Sequence, residues 1–182
     1  MSLCEIMMGR HAHLTPPESS VVPTESARGT PIRSQVRIRP VRRADDESWA
    51  ALRHALWPNV SATVLHLDIE RWWWTGDRDT HCLVAEVNRR LVGFIELSIR
   101  ANAEGCETDR VAYVEGWYVA PDMRRRGIGR ALMAAAEVWS GARGCKELGS
   151  DSDVTNAVGQ GAHRAFGFAE VATLVCFRKA IG

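Results

Sequence analysis

The sequence predicts an α/β domain with a mixed, mainly antiparallel sheet flanked by helices. Three observations predict it. Two apolar, strand-like segments, 81–87 and 91–97, are separated only by Asn88-Arg89-Arg90, the spacing of a hairpin. A third, 111–119, runs straight through a turn into a segment whose apolar residues recur at helical spacing. After it come a short strand-like piece, a helical piece and a last strand-like piece, so strands and helices alternate along a chain of 182 residues, a length that suits one domain.

Taken in order, residues 1–35 differ from the rest. Thr15-Pro16-Pro17-Glu18-Ser19-Ser20 and Pro23-Thr24-Glu25-Ser26 are rich in Pro, Ser and Thr and lack periodicity. Such a stretch buries too little apolar surface to offset the entropy of ordering it, so it is expected to be a flexible tail. The pair His11 and His13 within it is expected to be inert, and no metal is expected elsewhere. The folded domain is expected over 36–182. Val36-Arg37-Ile38-Arg39-Pro40 alternates as a strand does. Asp45 or Asp46 can cap a helix carrying Trp49, Leu52, Leu56 and Trp57, which Pro58 ends. A second helix is expected over 62–74, with Trp72, Trp73 and Trp74 packing several faces. The hairpin follows, then a polar loop over 100–109 and the strand 111–119. A helix beginning near Gly127 places Ile128, Leu132, Met133, Ala136 and Trp139 on one face. A short strand opens at Glu147, a helix spans 155–166 and stops at Gly167, a natural C′ residue, and a final strand is expected over 170–178.

Composition narrows the function. Apolar residues make up 46% and charged residues 25% of the chain, the balance of a globular protein. A net charge of +1 gives no overall reason to expect nucleic acid. No apolar run is long enough to span a membrane, and the first residues lack the apolar segment of a signal peptide. The five cysteines are an odd number without metal-ligand spacing, which suggests a reduced, cytoplasmic setting.

Chemistry concentrates at one turn. Gly116-Trp117-Tyr118-Val119-Ala120-Pro121-Asp122-Met123 leads into Arg124-Arg125-Arg126-Gly127-Ile128-Gly129-Arg130. The first N–H groups of a helix have no internal partners, and with the helix dipole they favour an anion. Gly127 and Gly129 remove side chains that would keep a phosphate from the backbone, and the arginines add charge-assisted donors. A bare Gly-x-Gly is weak, and a solvated basic turn is its bland alternative. The strand before it and the apolar-striped helix after it favour an anion site. A nucleic-acid surface would need more basic residues nearby, whereas the adjoining segments are acidic.

Arg-x-x-Gly-x-Gly after a strand resembles the acetyl-CoA motif of the GCN5-related N-acetyltransferases (GNAT), and the resemblance covers nearly the whole chain from Val36. It implies the GNAT fold and acetyl-CoA as cosubstrate. It also implies a bulge in the preceding strand, where the backbone of Trp117, Tyr118 and Val119 holds the pantetheine arm and a backbone N–H stabilises the thioester oxyanion. Asn156 matches an Asn that often faces the cofactor early in the next helix.

Several further stretches are similar to one branch, the aminoglycoside 6′-N-acetyltransferases: residues 51–58, Ser98-Ile99-Arg100, Val114-Glu115-Gly116, Ser150-Asp151 and residues 163–168. Agreement in loops points to function more than agreement in a core does. This resemblance implies a homodimer that acetylates cationic aminosugars. An aminoglycoside carries several ammonium groups, so its site needs carboxylates. Glu115, just before the expected bulge, and Asp151, where the next strand ends, can converge on one amine. Glu115 lies in an apolar strand and therefore needs a partner. Glu104, Glu107 and Asp109, in the loop before Val111, could extend the negative surface, although Glu104 and Glu107 are more simply solvated. Trp57 is either a core anchor or, as the resemblance implies, a wall for the sugar. His66 and His163 read as satisfied structural groups before bases.

The nucleophile must be a neutral amine, so Asp151 or Glu115 is expected to take its proton, directly or through a water. The last strand reads Leu174-Val175-Cys176-Phe177 without the Tyr that many relatives use as general acid, and none is assigned. The loop Ala101-Asn102-Ala103-Glu104-Gly105 is one residue short of the branch pattern and lacks its usual Tyr; Asn102 is the candidate replacement contact. Two other readings suit the same residues: a GNAT enzyme acting on a polyamine or a protein amine, and a non-enzymatic acyl-CoA-binding module.

Overall fold

The computed structural model describes residues 36–76 and 78–181. The Pro/Ser/Thr-rich segment 1–35, with His11 and His13, lies outside the described residues. Five strands form one sheet in chain order: β1 (Arg37–Pro40), β2 (Thr80–Val87), β3 (Arg90–Arg100), β4 (Val111–Val119) and β5 (Leu148–Ser150). The first three pairings are antiparallel, and β4 with β5 is parallel. The sheet is thus mixed and mainly antiparallel, as the sequence predicts. β2 and β3 join through Asn88 and Arg89, both at positive φ, the backbone a two-residue hairpin turn requires.

Four helices cover the sheet: α1 (Asp46–Leu56), α2 (Ala62–Thr75), α3 (Ile128–Gly141) and α4 (Ala157–Ala165). Along β3, Phe94 packs in the layer under α1 and α2 with Trp49 and Ile69, whereas Ile95 and Leu97 pack with Leu132, Met133 and Ala136 of α3. A strand covered on both faces reads as a continuous apolar run, which is why β3 shows little alternation. Trp49, Phe94, Leu65, Ile95, Leu97 and Leu132 are all essentially inaccessible. Each side chain of this kind contributes about 1.5–3 kcal/mol by leaving water.

The expected elements appear in order, with two corrections. Asp45 does not cap α1 with its side chain. It turns back to accept from the Arg42 N–H at 2.8 Å and to hold Arg39 at 2.6 and 2.9 Å, while Ser61 supplies the side-chain cap of α2. The final strand expected over 170–178 does not form. Val171, Leu174, Val175 and Phe177 are exposed, and no ladder partner for them occurs among the described residues. Strand composition alone leaves backbone donors and acceptors unpaired, and β5, three residues long, offers little edge.

Candidate active site

β3 and β4 fall out of step at one point. Leu97 faces Val114 and Glu96 faces Gly116, so Glu115 is the extra residue of a β-bulge rather than the residue before it. Parallel pairing of β4 with β5 ends at Val114. From there to Val119, β4 continues past the three-residue β5 and leads into the turn before α3. This is the expected place for an extended ligand to run along the strand.

The turn entering α3 closes one end of that opening. Pro121–Met123 forms a single 3-10 turn, Arg125 and Gly127 take positive φ (59° and 80°), and Gly127 becomes the N-cap of α3. No side chain caps the helix. Its first N–H groups point out of a turn in which a Cβ on Gly127 would meet nothing within 4 Å. Arg125, Arg126 and Arg130 are exposed around it. Such a cradle of backbone donors and guanidinium groups can hold a pyrophosphate. Arg124 has a further role: its Nε donates to the Val119 carbonyl at 2.9 Å and its guanidinium lies 5.7 Å from the Tyr118 ring, so it ties the turn to the strand end. Ile128 is buried and anchors the first helical turn in the core.

Trp117, Tyr118 and Val119 alternate across the sheet. The Trp117 ring packs against the first turn of α3, where a Cβ on Gly129 would come within 3.0 Å of it, and meets Phe166 edge-on with centroids 4.9 Å apart. Its buried Nε1 finds no acceptor among the described residues. Tyr118 leans on Phe94 in the other layer. Asn156 lies outside α4 as its N-cap, its Oδ1 accepting from the Gly159 N–H at 2.9 Å, so its first duty is to end the loop after β5. His163 is held by the Gly159 carbonyl at 2.8 Å and the Ser150 hydroxyl at 2.9 Å, the structural part expected of it. His66 contacts the Ala62 carbonyl one turn back.

The candidate acids come together through two residues to which the sequence reading gave no role. Glu115 receives both Nη2 contacts of Arg100 at 2.9 Å, Arg100 Nε at 3.2 Å, and a short hydrogen bond from the Ser98 hydroxyl. Arg100 in turn stacks on Tyr113, its guanidinium carbon 3.4 Å from the ring centroid, and the Tyr113 hydroxyl donates to Asp151 Oδ1 at 2.8 Å. Glu115 and Asp151 are thus the two ends of one chain of contacts, with Asp151 exposed and Glu115 half-buried. Ser98 and Arg100 share a face of β3 by strand alternation, but their meeting with Glu115 and Tyr113 depends on the register of β3 with β4.

Trp57 adjoins the bulge. A Cβ on Gly116 would come within 2.6 Å of its ring, which also lies 6.2 Å from Phe94 and 5.2 Å from the Arg53 guanidinium. It is half-buried, packed with the core around Phe94 and against the bulge at Gly116. Beneath it, Glu96 is fully buried. Trp49 Nε1 donates to it at 2.8 Å, and Arg53 Nε lies 3.1 Å from the same oxygen, an ion pair outside hydrogen-bond alignment. Burial raises the Glu96 pKa, against the lowering effects of Arg53 and Trp49. Asn102 is exposed in the loop after β3, and that loop is tied down elsewhere, by Glu147 accepting from the Glu107 and Thr108 N–H groups at 3.0 and 2.7 Å. Among the described residues no cluster of side chains is suited to a metal ion.

A glycine turn at an uncapped helix N-terminus, a strand that outruns its neighbour and a bulge carrying a carboxylate suit transfer of a group from a phosphate-bearing carrier to a cationic acceptor. Comparison with known proteins agrees. Residues 48–168 match the acetyltransferase (GNAT) family. The chain is 43% identical over 145 residues to aminoglycoside N(6')-acetyltransferase type 1 of Klebsiella aerogenes, covering 78% of this chain and 95% of that one. It is 38% identical over 149 residues to the enzyme of the same description from Stenotrophomonas maltophilia, covering 81% and 95%. Among solved structures it is similar to AAC(6')-Iy in complex with the bisubstrate analog CoA-S-monomethyl-acetylneamine, with a TM-score of 0.75 and 31% identity over 81% of this chain and 100% of that chain. It is also similar to AAC(6')-Ih from Acinetobacter baumannii, with a TM-score of 0.73 and 31% identity over the same shares. The chain belongs to the acetyltransferase (GNAT) family, among the aminoglycoside N(6')-acetyltransferases.

Proposed function

We propose that the protein acetylates the 6′-amino group of aminoglycosides from acetyl-CoA and so confers resistance to them. The observation that carries this reading is the junction of the α3 glycine turn with the Glu115 bulge, an anion cradle and a cation site on one strand. Gly127, Ile128, Gly129 and the arginines from Arg124 to Arg130 hold the pyrophosphate. The β4 backbone from Trp117 to Val119 takes the pantetheine arm, and Asn156 borders it. Glu115 and Asp151 hold the substrate ammonium, with Trp57 against the sugar ring and Asn102 at the rim.

One of the two acids takes the proton from the ammonium. Three contacts from Arg100 and one from Ser98 engage Glu115, whereas Asp151 accepts from the Tyr113 hydroxyl and is open to solvent. This favours Asp151 as the base and Glu115 as the orienting group. The neutral amine then attacks the thioester carbonyl while a β4 backbone N–H faces the developing oxyanion; the carbon–sulfur bond breaks as the carbonyl re-forms, and the nitrogen's remaining excess proton passes to solvent or to the departing thiolate without a dedicated general acid.

The enzyme is read as a cytoplasmic homodimer. Support for the second copy is the terminal segment, whose Val175 and Phe177 are 75% and 93% exposed although its composition is that of a strand. The thiols of Cys82, Cys106, Cys145 and Cys176 are all unbridged, which suits a reducing compartment. No described helix is long and apolar enough to cross a membrane.

The test is thiol release from acetyl-CoA with kanamycin, spermine or a peptide as acceptor, with mass spectrometry of the product. Release with kanamycin and acetylation at the 6′-amine supports the reading. Release only with spermine or peptide replaces it with the polyamine or protein reading, and release with none, alongside binding of acetyl-CoA, leaves a binding module. Light scattering at micromolar concentration reads the dimer.

A further inference from the structure

Arg100 stands between the two candidate acids, and its geometry is that of a ligand more than of a prop. Its guanidinium meets both oxygens of Glu115 with Nη2 at 2.9 Å, and its face lies flat on Tyr113, whose hydroxyl is bound to Asp151. Burial opposes the charge, but Glu115 most strongly, then Tyr113 and Asp151, hold the Arg100 pKa above its ordinary value. Both acids therefore act on one internal cation. The pair is not sealed: 27% of the Arg100 side chain and 15% of Glu115 are accessible, in contrast to 3% and 5% for Arg53 and Glu96. Arg100 is the last residue of β3 and leads into the loop 101–110.

We propose that Arg100 is a specificity-determining residue that occupies the ammonium site of Glu115 in the absence of acceptor and must be displaced, in whole or in part, by the incoming amine. The inference rests on the reading of Glu115 and Asp151 as the acceptor site. Its physical content is competition. A pair of uncompensated carboxylates attracts any cation, flexible polyamines included. A resident guanidinium with forked donors makes every newcomer replace several hydrogen bonds at once, which a rigid, multiply charged aminosugar does better than a flexible chain. Selectivity is thereby obtained at the expense of affinity.

The experiment compares wild type, Arg100→Gln and Arg100→Lys for steady-state kinetics with kanamycin, inhibition by spermine, and KM for acetyl-CoA, at low and high NaCl. Competition predicts that Arg100→Gln lowers the KM for kanamycin roughly fivefold, the scale of one partly exposed ion pair. It also predicts tighter inhibition by spermine by more than that factor, so selectivity falls. The KM for acetyl-CoA stays where it was, and the KM for kanamycin rises more steeply with salt than in wild type. Arg100→Lys keeps the cation but loses the fork and shows a smaller fall. A KM for kanamycin that is unchanged or raised in a folded Arg100→Gln protein overturns the proposal, because Arg100 would then only hold Glu115 in place. Should the Gln variant melt below the assay temperature, the Lys variant decides by the same signs. Wild type that turns over no aminoglycoside overturns instead the reading of the site itself, so the two failures are distinct.

Discussion

Two arginine–glutamate pairs lie on the same side of the sheet and differ mainly in depth. Arg53 and Glu96 sit beneath α1, closed off by Trp49, Trp57 and the Leu65 carbonyl. Arg100 and Glu115 sit beyond the end of that helix, at the bulge, partly open to water. The chemistry is the same and the consequences are opposite. In the inner pair each charge is hostage to the other, since losing a partner strands an ion in apolar surroundings. In the outer pair water can stand in for either partner, so contacts can be exchanged with a ligand. Depth separates a pair sealed into the scaffold from one open to exchange.

The contrast can be broken at several points. The largest effect is expected in the outer region without touching its pair. Asp151→Asn is expected to lower kcat by about 10²–10⁴-fold, the range of a lost general base, with the KM for acetyl-CoA unchanged. Equal turnover in that variant removes Asp151 from proton transfer. In the inner region, Arg53→Met is expected to cost about 3–5 kcal/mol of stability by leaving Glu96 unpaired, read from urea unfolding, whereas Arg100→Gln costs no more than about 1 kcal/mol. Comparable losses would mean that depth does not separate the pairs. Gly127→Ala places a side chain at φ 80°, strained by about 1–2 kcal/mol, and is expected to raise the KM for acetyl-CoA while sparing that for kanamycin.

The smallest effect is in pH dependence, and its sign sharpens the comparison. Burial raises the Glu96 pKa. Between the ordinary carboxylate value and the raised one, the folded state keeps a proton that the unfolded chain releases. Stability from this group therefore falls as pH rises through that window. Asp45, whose pKa is lowered by its hydrogen bonds with Arg39, does the reverse: its contribution is present above the ordinary carboxylate range and is lost as pH falls through the folded value. Urea midpoints measured from acid to neutral pH should flatten at the upper end in Glu96→Gln and at the lower end in Asp45→Asn.

The turn before α3 was legible in the sequence because its determinants are local. Strand, Pro-Asp, arginines and glycines follow one another within about fifteen residues, and an uncapped helix N-terminus can be read from that order alone. The contacts around Glu115 were legible only in part. Glu115 stood out as an acid in an apolar strand, but its partner Arg100 lies fifteen positions away on another strand, and Tyr113 looked like an apolar residue of its own strand. Contacts that depend on register across a sheet are not visible in a linear pattern. The segment 170–178 illustrates the opposite error. Its residues favour a strand, yet a strand is a relation between two segments, and the described chain supplies only one.

The bulge at Glu115 bears on how this site can change. A residue in a regular ladder answers to its cross-strand neighbour, so replacing it alters the sheet as well as the site. Position 115 has no register partner in that ladder, because Val114 and Gly116 take the pairing on either side, yet its carboxylate holds Ser98 and Arg100 across the strand. A change there is felt by those two side chains, while the backbone pairing of β3 with β4 keeps its register. A lineage under selection for a new amine can therefore vary this side chain by giving up the Arg100 contact and leaving the sheet intact.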